Sequence, residues 1–224
     1  MIIFILIIAV IAAWVFLGNH DTPATKEALK MKDRNAEQKK VIRYFLNDGC
    51  LSKHISDEEY ESMLRSHIKD FKQRALDKIG LDESELQEIP PVHFEGFLTD
   101  KTTYVRLGKD KKFRYSGYQI SWLFFSASQV YLYQYTLYMD CDDKKETTNE
   151  YFYKDITSFN TSTDTIETQF YDPKKKDIVL KNVDSTRFCL VVPGDKFYCA
   201  MQQNDANERA VQAMKAKLRE KKIA

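Results

Sequence analysis

A short acidic stretch is the part of the sequence that comes nearest to a metal-binding loop. Residues 140–143 read Asp-Cys-Asp-Asp, and closely spaced carboxylates are the ligands that Ca²⁺ prefers. A calcium loop of the helix-loop-helix type would need Gly at its sixth position and Glu at its twelfth. Here those positions hold Lys145 and Tyr151. We therefore interpret the stretch as a hairpin turn, and we predict no bound metal and no cofactor.

Catalytic chemistry has no local signature in this chain. Its histidines fall in unrelated segments without a metal-binding spacing, and the GxSxG, GxGxxG and P-loop patterns are absent. We therefore predict that the protein is not an enzyme. A hydrolase whose triad assembles from distant positions is the alternative, because such triads leave no local motif. The histidines are His20, His54, His67 and His93.

The composition is that of a chain able to bury a core. It has 224 residues, 43% hydrophobic and 30% charged, and 34 basic side chains against 33 acidic ones give a net charge of +1. These values exclude a globally disordered chain and a polytopic membrane protein. The near-zero net charge also gives no reason to expect a nucleic acid partner.

The first residues form a continuous apolar segment. All residues from Ile2 to Leu17 are apolar, whereas a spanning helix needs about 20 residues with a lower limit near 17. A cleaved signal peptide would need a basic residue before the segment and a small-residue cleavage site after it, and a core helix is rarely apolar on every face. We predict a transmembrane anchor over residues 1–18, with Ile2, Phe4, Leu6, Ile11, Trp14 and Leu17 in the bilayer.

The charges beside this segment predict its orientation. Seven Lys and Arg residues lie between Lys26 and Arg43, whereas none precedes the segment. Since basic flanks stay in the cytoplasm, we predict a single-pass membrane protein with its N-terminus outside and its soluble part in the cytoplasm. The lipid bilayer is then the first predicted partner.

Residues 19–91 are predicted to form a helical connector, or stalk. One helix is expected from Pro23 to about Leu46, and a second from the capping box at Ser56 to Gly80. Residues 81–89 predict a short third helix, which the proline pair at 90 and 91 ends.

Residues 92–224 are predicted to be a β domain with a C-terminal helix. Thr, Tyr, Phe and Val accumulate, and turn signals recur at intervals typical of antiparallel strands. In 131–139 the alternation has a period of two, with Gln134 and Thr136 on the opposite face. The candidate strands are 103–107, 112–126, 128–140, 149–160, 164–171, 177–182, 186–192 and 196–202.

This layout resembles that of the pleckstrin-homology-like (PH-like, also GRAM-like) domains. The stretches EYFYKDITSF, LVVPGDKFYC and AVQAMKAKLREKK are also similar to those of an uncharacterised family of membrane-anchored bacterial proteins. The resemblance covers roughly residues 80–222 and implies an α+β fold, in which an antiparallel barrel is capped by the C-terminal helix. A small β-sandwich would show the same strand spacing.

The same resemblance implies a candidate anionic-ligand patch. PH-like domains that bind phosphoinositides carry basic residues around the first hairpin, in a pattern that Lys109, Lys112 and Arg114 match with Lys111 beside them. Anionic lipid headgroups are thus a possible ligand. PH-like domains also bind peptides along a sheet edge, so a protein or peptide partner is expected.

Two cysteines form a candidate thiol pair. If Pro193 to Asp195 form a three-residue loop, Val192 faces Lys196, and Cys189 then faces Cys199 across the hairpin. Two reduced thiols packed side by side are the favoured interpretation. A Cys189–Cys199 disulfide would instead suit an extracytoplasmic domain at the cell surface.

The sequence therefore predicts a membrane-tethered binding or scaffolding module that faces the cytoplasm. Its alternatives are the disulfide-stabilised cell-surface domain and the hydrolase with a triad hidden in the sequence.

Overall fold

A computed structural model describes residues 21–31, 33–47, 54–82, 84, 89–202 and 204–223, with Ile89 and Ile223 described by their backbone. The predicted anchor over residues 1–18, with Ile2, Phe4, Leu6, Ile11, Trp14 and Leu17, lies outside the described residues. Among the helices that are described, none is long and apolar enough to cross a membrane.

Among the described residues, four α-helices precede the strands, and one follows them. The first four are α1 (Pro23–Met31), α2 (Ala36–Leu46), α3 (Asp57–His67) and α4 (Phe71–Ile79), and α5 (Asp205–Ile223) closes the described chain. The helix predicted from Pro23 to Leu46 is divided because Asn35 starts a new one. Its side chain accepts from the backbone of Gln38 at 2.9 Å, and the Gln38 side chain accepts from the backbone of Asn35 at 2.9 Å.

The first sheet, sheet A, has the strand order β1-β4-β5-β6, all antiparallel. Its predicted alternation in β5 is confirmed, because Tyr133 and Leu137 face the helices while Gln134 bonds a strand on the other side. The strands are β1 (Ile89–Leu98), β4 (Gly117–Phe125), β5 (Gln129–Tyr138) and β6 (Lys144–Phe152).

Strand β1 was not expected from the sequence, because it contains the proline pair at 90 and 91. The structure accommodates both prolines at the start of an edge strand, where the register with β4 is irregular between Ile89 and Val92. Proline is tolerated there because an edge strand has an N–H row that needs no partner.

The second sheet, sheet B, has the order β3-β2-β7-β8-β9. Strands β7 and β8 form one long hairpin, and β2 joins it by pairing with β7 in parallel. The bounds are β2 (Tyr104–Leu107), β3 (Phe113–Tyr115), β7 (Ser158–Asp172), β8 (Asp177–Val192) and β9 (Asp195–Ala200).

The fold is α+β, but the predicted PH-like antiparallel barrel is wrong. The strands form two open sheets, and in the described chain no strand ladder joins them. The expected strand 112–126 breaks at Ser116, which bonds Tyr104 of β2 through its N–H at 2.9 Å and accepts from Met139 through its carbonyl at 2.8 Å. The chain thus leaves sheet B for sheet A at Ser116, and β2 pairs in parallel with β7 instead of closing a barrel.

Sheet A separates two hydrophobic cores. Tyr118, Ile120 and Phe124 on one face of β4 pack against α2, α3 and α4, the helices of the predicted connector. Leu123 and Phe125 on the other face pack against sheet B and α5. Strand β4 is therefore covered on both faces, which accounts for the burial of nearly all of its residues.

Two buried glutamines connect sheet A to β9. The Gln119 side chain accepts from the N–H of Ala200 at 2.7 Å and donates to Thr136 at 3.0 Å. The Gln134 side chain donates to the carbonyl of Tyr198 at 2.8 Å. These bonds satisfy an edge strand that would otherwise bury unpaired backbone groups.

Replacing Gln119 with Ala should lower the free energy of unfolding by about 1–3 kcal/mol, because the buried N–H of Ala200 loses its acceptor. Urea unfolding measures this loss. Gln212→Ala, on the exposed side of α5, is the matched control and should change stability by less than about 0.5 kcal/mol. Equal losses in the two variants would show that the Gln119–Ala200 hydrogen bond does not stabilise the fold.

Candidate functional site

The predicted anionic-ligand patch lies in the β2–β3 hairpin. Lys109, Lys111 and Lys112 are exposed there, whereas Arg114 is only 4% exposed. Lys111 has a φ of 63°, in the left-handed region that tight turns use. The structure therefore presents the three lysines to solvent and separates Arg114 from them.

Carboxylates already occupy the Arg114 guanidinium. It donates to both oxygens of Asp110, at 2.9 and 3.0 Å, and to Glu61 at 2.9 Å from Nε, while Asp57 lies 3.9 Å away. The bonds from Arg114 hold the pKa of Asp110 well below its ordinary value. Arg114 therefore serves to fix the hairpin to α3, and the lysines are the groups left to meet an anion.

Asp57 completes this attachment at the start of α3. Its side chain accepts from the Tyr44 hydroxyl at 2.8 Å and from the N–H of Lys109 at 2.9 Å. Burial raises the pKa of Tyr44, and its bond to Asp57 acts in the same direction. Tyr44 therefore stays a neutral donor, and the turn is held in one conformation.

The hairpin that holds the candidate thiol pair has a different register from the one predicted. Its loop has two residues, Pro193 and Gly194, so Val192 pairs with Asp195. Gly194 has a φ of 84°, which a glycine adopts without strain. A shift of one residue in register turns each side chain of one strand to the opposite face.

The two cysteines consequently do not face each other. Cys189 pairs with Tyr198 and Cys199 with Phe188, so they point to opposite faces of the hairpin. Both are buried free thiols, and burial raises the pKa of Cys199 to about 12. A disulfide between them would require the strands to slip by one residue.

A concave feature of the described chain is a cleft between α1 and the sheets. Its volume is about 600 Å³, within the range of ligand sites. Apolar walls from Ala28, Met31, Tyr104 and Ile178 face several acidic side chains. The remaining lining residues are Ala24, Glu27, Arg34, Thr102, Tyr138, Asp140, Cys141, Asp143, Gln169 and Asp177.

A buried ion pair holds the cleft open at one end. Arg34 donates from Nε to the carbonyl of Asp140 at 2.8 Å, and its Nη2 lies 3.8 Å from the Asp140 carboxylate. Arg34 also donates to the carbonyl of Ala28 at the end of α1. This arginine therefore ties α1 to the turn after β5, and those two elements form opposite walls of the cleft.

The acidic turn at 140–143 connects β5 to the helices through side-chain contacts. Besides the bond of Asp140 to Arg34, the Asp142 side chain accepts from Gln38 at 2.6 Å. Among the described residues, no group of three or more His, Cys, Asp or Glu side chains is placed to hold a metal ion. The interpretation of this stretch as a turn is confirmed by its position between β5 and β6.

Four carboxylates line the cleft, those of Glu27, Asp140, Asp143 and Asp177, together with one cationic side chain, that of Arg34. Glu27 on α1 and Asp177 at the start of β8 are exposed and line it together. Tyr138, whose hydroxyl donates to Asp100 at 3.0 Å, has its pKa raised to about 12 by burial and by that carboxylate. The site is thus partly apolar and acidic, with a neutral phenol, and it suits a ligand with a cationic group beside an apolar one.

Sequence reasoning missed the cleft because its residues come from five separate segments. They meet through strand pairing and the Arg34 contacts, so no local spacing marks them. The local signal in the sequence was Met31, an apolar residue in a polar stretch. The structure leaves its side chain exposed beside the cleft.

Comparison with known proteins identifies no similar protein. No family model matches this chain, and no curated protein or solved structure is significantly similar to it. The resemblance to a membrane-anchored bacterial family stays a prediction, and the geometry of the chain carries the functional inference.

Replacing Arg34 with Met should cost about 3–5 kcal/mol of unfolding free energy, because it leaves the buried Asp140 carboxylate without its cation. Thermal or urea unfolding measures the loss. Arg65→Met breaks an exposed pair with Glu61 and should cost less than about 1 kcal/mol. If the two variants lose the same stability, Arg34 does not hold α1 in place.

Proposed function

We propose that this chain is a membrane-tethered, non-catalytic binding module. Its ligand is a peptide segment of another protein that carries Lys or Arg beside an apolar side chain, and the cleft along α1 holds it. The observation that carries this proposal is the cleft itself, about 600 Å³ in volume and lined by apolar and acidic side chains together.

The shape of the cleft supports a peptide ligand. Small molecules and short segments bind in concave sites where apolar walls supply contact area and a few polar groups fix orientation. Met31 is 72% exposed and stands at the end of α1, beside the cleft. A flexible, polarizable side chain in this position can adapt to apolar groups of different shape.

The charge of the cleft supports a cationic ligand. Arg34 is already bonded to Asp140, while Glu27 and Asp177 are exposed carboxylates in the lining of the cleft. A Lys or Arg side chain placed between them would meet two carboxylates. An acidic segment would meet repulsion from the same two groups.

The tether rests on the amino-acid sequence. The apolar segment at 2–17 and the basic residues between Lys26 and Arg43 support a single span with the described residues in the cytoplasm. A module fixed to the membrane needs less affinity for its partner, because confinement raises the effective concentration of both.

Binding of defined peptides to the full-length protein in nanodiscs tests the ligand. The probes are a library of hexapeptides with Arg or Lys beside Leu or Phe, and the same peptides with Glu in place of the basic residue. Fluorescence anisotropy should show tighter binding for members of the basic series. The proposal fails if no basic peptide binds more tightly than its acidic counterpart.

Neutralising the cleft locates the site. Glu27→Gln with Asp177→Asn should weaken binding of the basic peptides about 3- to 10-fold, as expected for two partly exposed ion pairs. Glu208→Gln with Asp195→Asn makes the same change at exposed positions outside the cleft and should leave the Kd unchanged. Equal losses would place binding elsewhere.

A further inference from the structure

Two lysine-rich turns leave sheet B at the same end. Strands β2 and β7 are parallel neighbours, with Val105 paired to Phe170. Leu107, the last residue of β2, is therefore level with Asp172, the last residue of β7. The turn after β2 (residues 108–112) and the turn after β7 (residues 173–176) consequently project side by side, and we refer to these two turns together as the basic end.

Six ammonium groups stand at the basic end. All six lysines are exposed, and within the described part of the chain none of their ammonium groups forms an ion pair or a hydrogen bond. Of the acidic side chains nearby, Asp110 bonds Arg114, and Asp172 accepts from the N–H of Lys174 at 2.9 Å. Asp177, which lines the cleft, directly follows the second turn. The lysines are Lys109, Lys111, Lys112, Lys174, Lys175 and Lys176.

The start of the described chain lies at this same end. The N–H of Thr22 donates to the Asn47 side chain at 3.2 Å, and Arg106 donates to the Asn47 carbonyl at 3.0 Å. Arg106 is in β2, two residues before the first basic turn. The predicted anchor ends at residue 18, so at most about 11 Å of extended chain separates it from Asp21.

Apolar side chains border the lysines. Leu107, Phe113 and Leu180 are 53%, 44% and 56% exposed. Leu107 and Phe113 flank the first turn, and Leu180 lies four residues beyond the second. Basic groups mixed with exposed apolar ones are typical of surfaces that lie at a membrane interface.

Helix α5, which also carries several basic residues, is at the opposite end. Helix α5 packs against the short 3-10 helix Tyr153–Asp155 and against Phe159, near the start of β7. The fifteen residues of β7 separate this region from the basic end. The basic residues of α5 therefore serve as a control for position.

We infer that the basic end docks on the anionic lipid headgroups of the membrane that holds the anchor. This inference rests on the proposed tether. The anchor brings the two turns to the bilayer surface, and six unpaired ammonium groups meet the negative potential of the cytoplasmic leaflet. The contact fixes the orientation of the module on the membrane, since attachment at one point alone leaves its rotation unrestricted.

Hydrogen exchange of the full-length protein tests the docking. The protein is placed in nanodiscs of phosphatidylcholine, and in nanodiscs with about one-third phosphatidylserine, at low and at high salt. In the anionic discs at low salt, amides of both turns should exchange about tenfold more slowly, because a docked turn is seldom open to solvent. High salt should remove the protection, since screening shortens the range of the attraction.

A charge variant and its control decide the source of any protection. The test variant changes all six lysines, to Asn at Lys111 and Lys176, whose φ of 63° and 55° Asn tolerates, and to Gln at the others. It should lose the protection. The control, with Gln at Arg209, Lys215 and Arg219 of α5, should keep it.

The outcomes separate this inference from the tether. If the protein incorporates into nanodiscs but both turns exchange equally in neutral and anionic lipid, the docking is wrong and the tether stands. If the protein does not incorporate at all, both are wrong. Protection that persists in the six-lysine variant also overturns the inference, as does protection by an added nucleic acid or acidic protein but not by anionic lipid.

Discussion

The parallel pairing of β2 with β7 is the constraint on which the rest of the structure depends. Tyr104 pairs with Gln169 and Val105 with Phe170. Beside this ladder the buried Thr168 hydroxyl donates to the carbonyl of Thr103 at 3.0 Å. A parallel contact needs a long crossover, and here the intervening chain contains β3 and three of the four strands of sheet A, β4, β5 and β6. The pairing therefore holds the long β7–β8 hairpin against the part of the chain that packs under the helices.

Both of the surfaces proposed to bind partners depend on this contact. It brings Tyr104 and Gln169 together in the wall of the cleft. It also makes β2 and β7 run in the same direction, so their lysine turns emerge at one end. An antiparallel contact would place those turns at opposite ends of the sheet and would separate the charge into two smaller patches. This one parallel pairing thus positions both the proposed ligand site and the end proposed to face the membrane.

Local signals predicted local structure, and they failed where distant segments meet. Ser56 caps α3, and β5 alternates as its residue types suggest, because each feature depends on neighbours in the chain. The β2–β7 contact joins residues that are 65 positions apart in the sequence, and no local sequence pattern predicts it. Arg114 fits a lipid-binding pattern in the sequence, yet Asp110 of its own hairpin and two carboxylates of α3 bind its guanidinium. The predicted loop of the hairpin that carries Cys189 and Cys199 was one residue too long, and this error placed Cys199 on the wrong face.

A distance measurement tests the parallel pairing most directly. Spin labels are attached to cysteines at Lys111 and Lys175 in one sample, and at Lys101 and Lys175 in another, with the four native cysteines replaced by alanine. Lys101 precedes β2 and Lys111 follows it. Pulsed electron resonance on the full-length protein should give a shorter distance for the 111–175 pair than for the 101–175 pair. The reverse order would show that β2 does not run parallel to β7, and it would contradict both the cleft and the shared basic end.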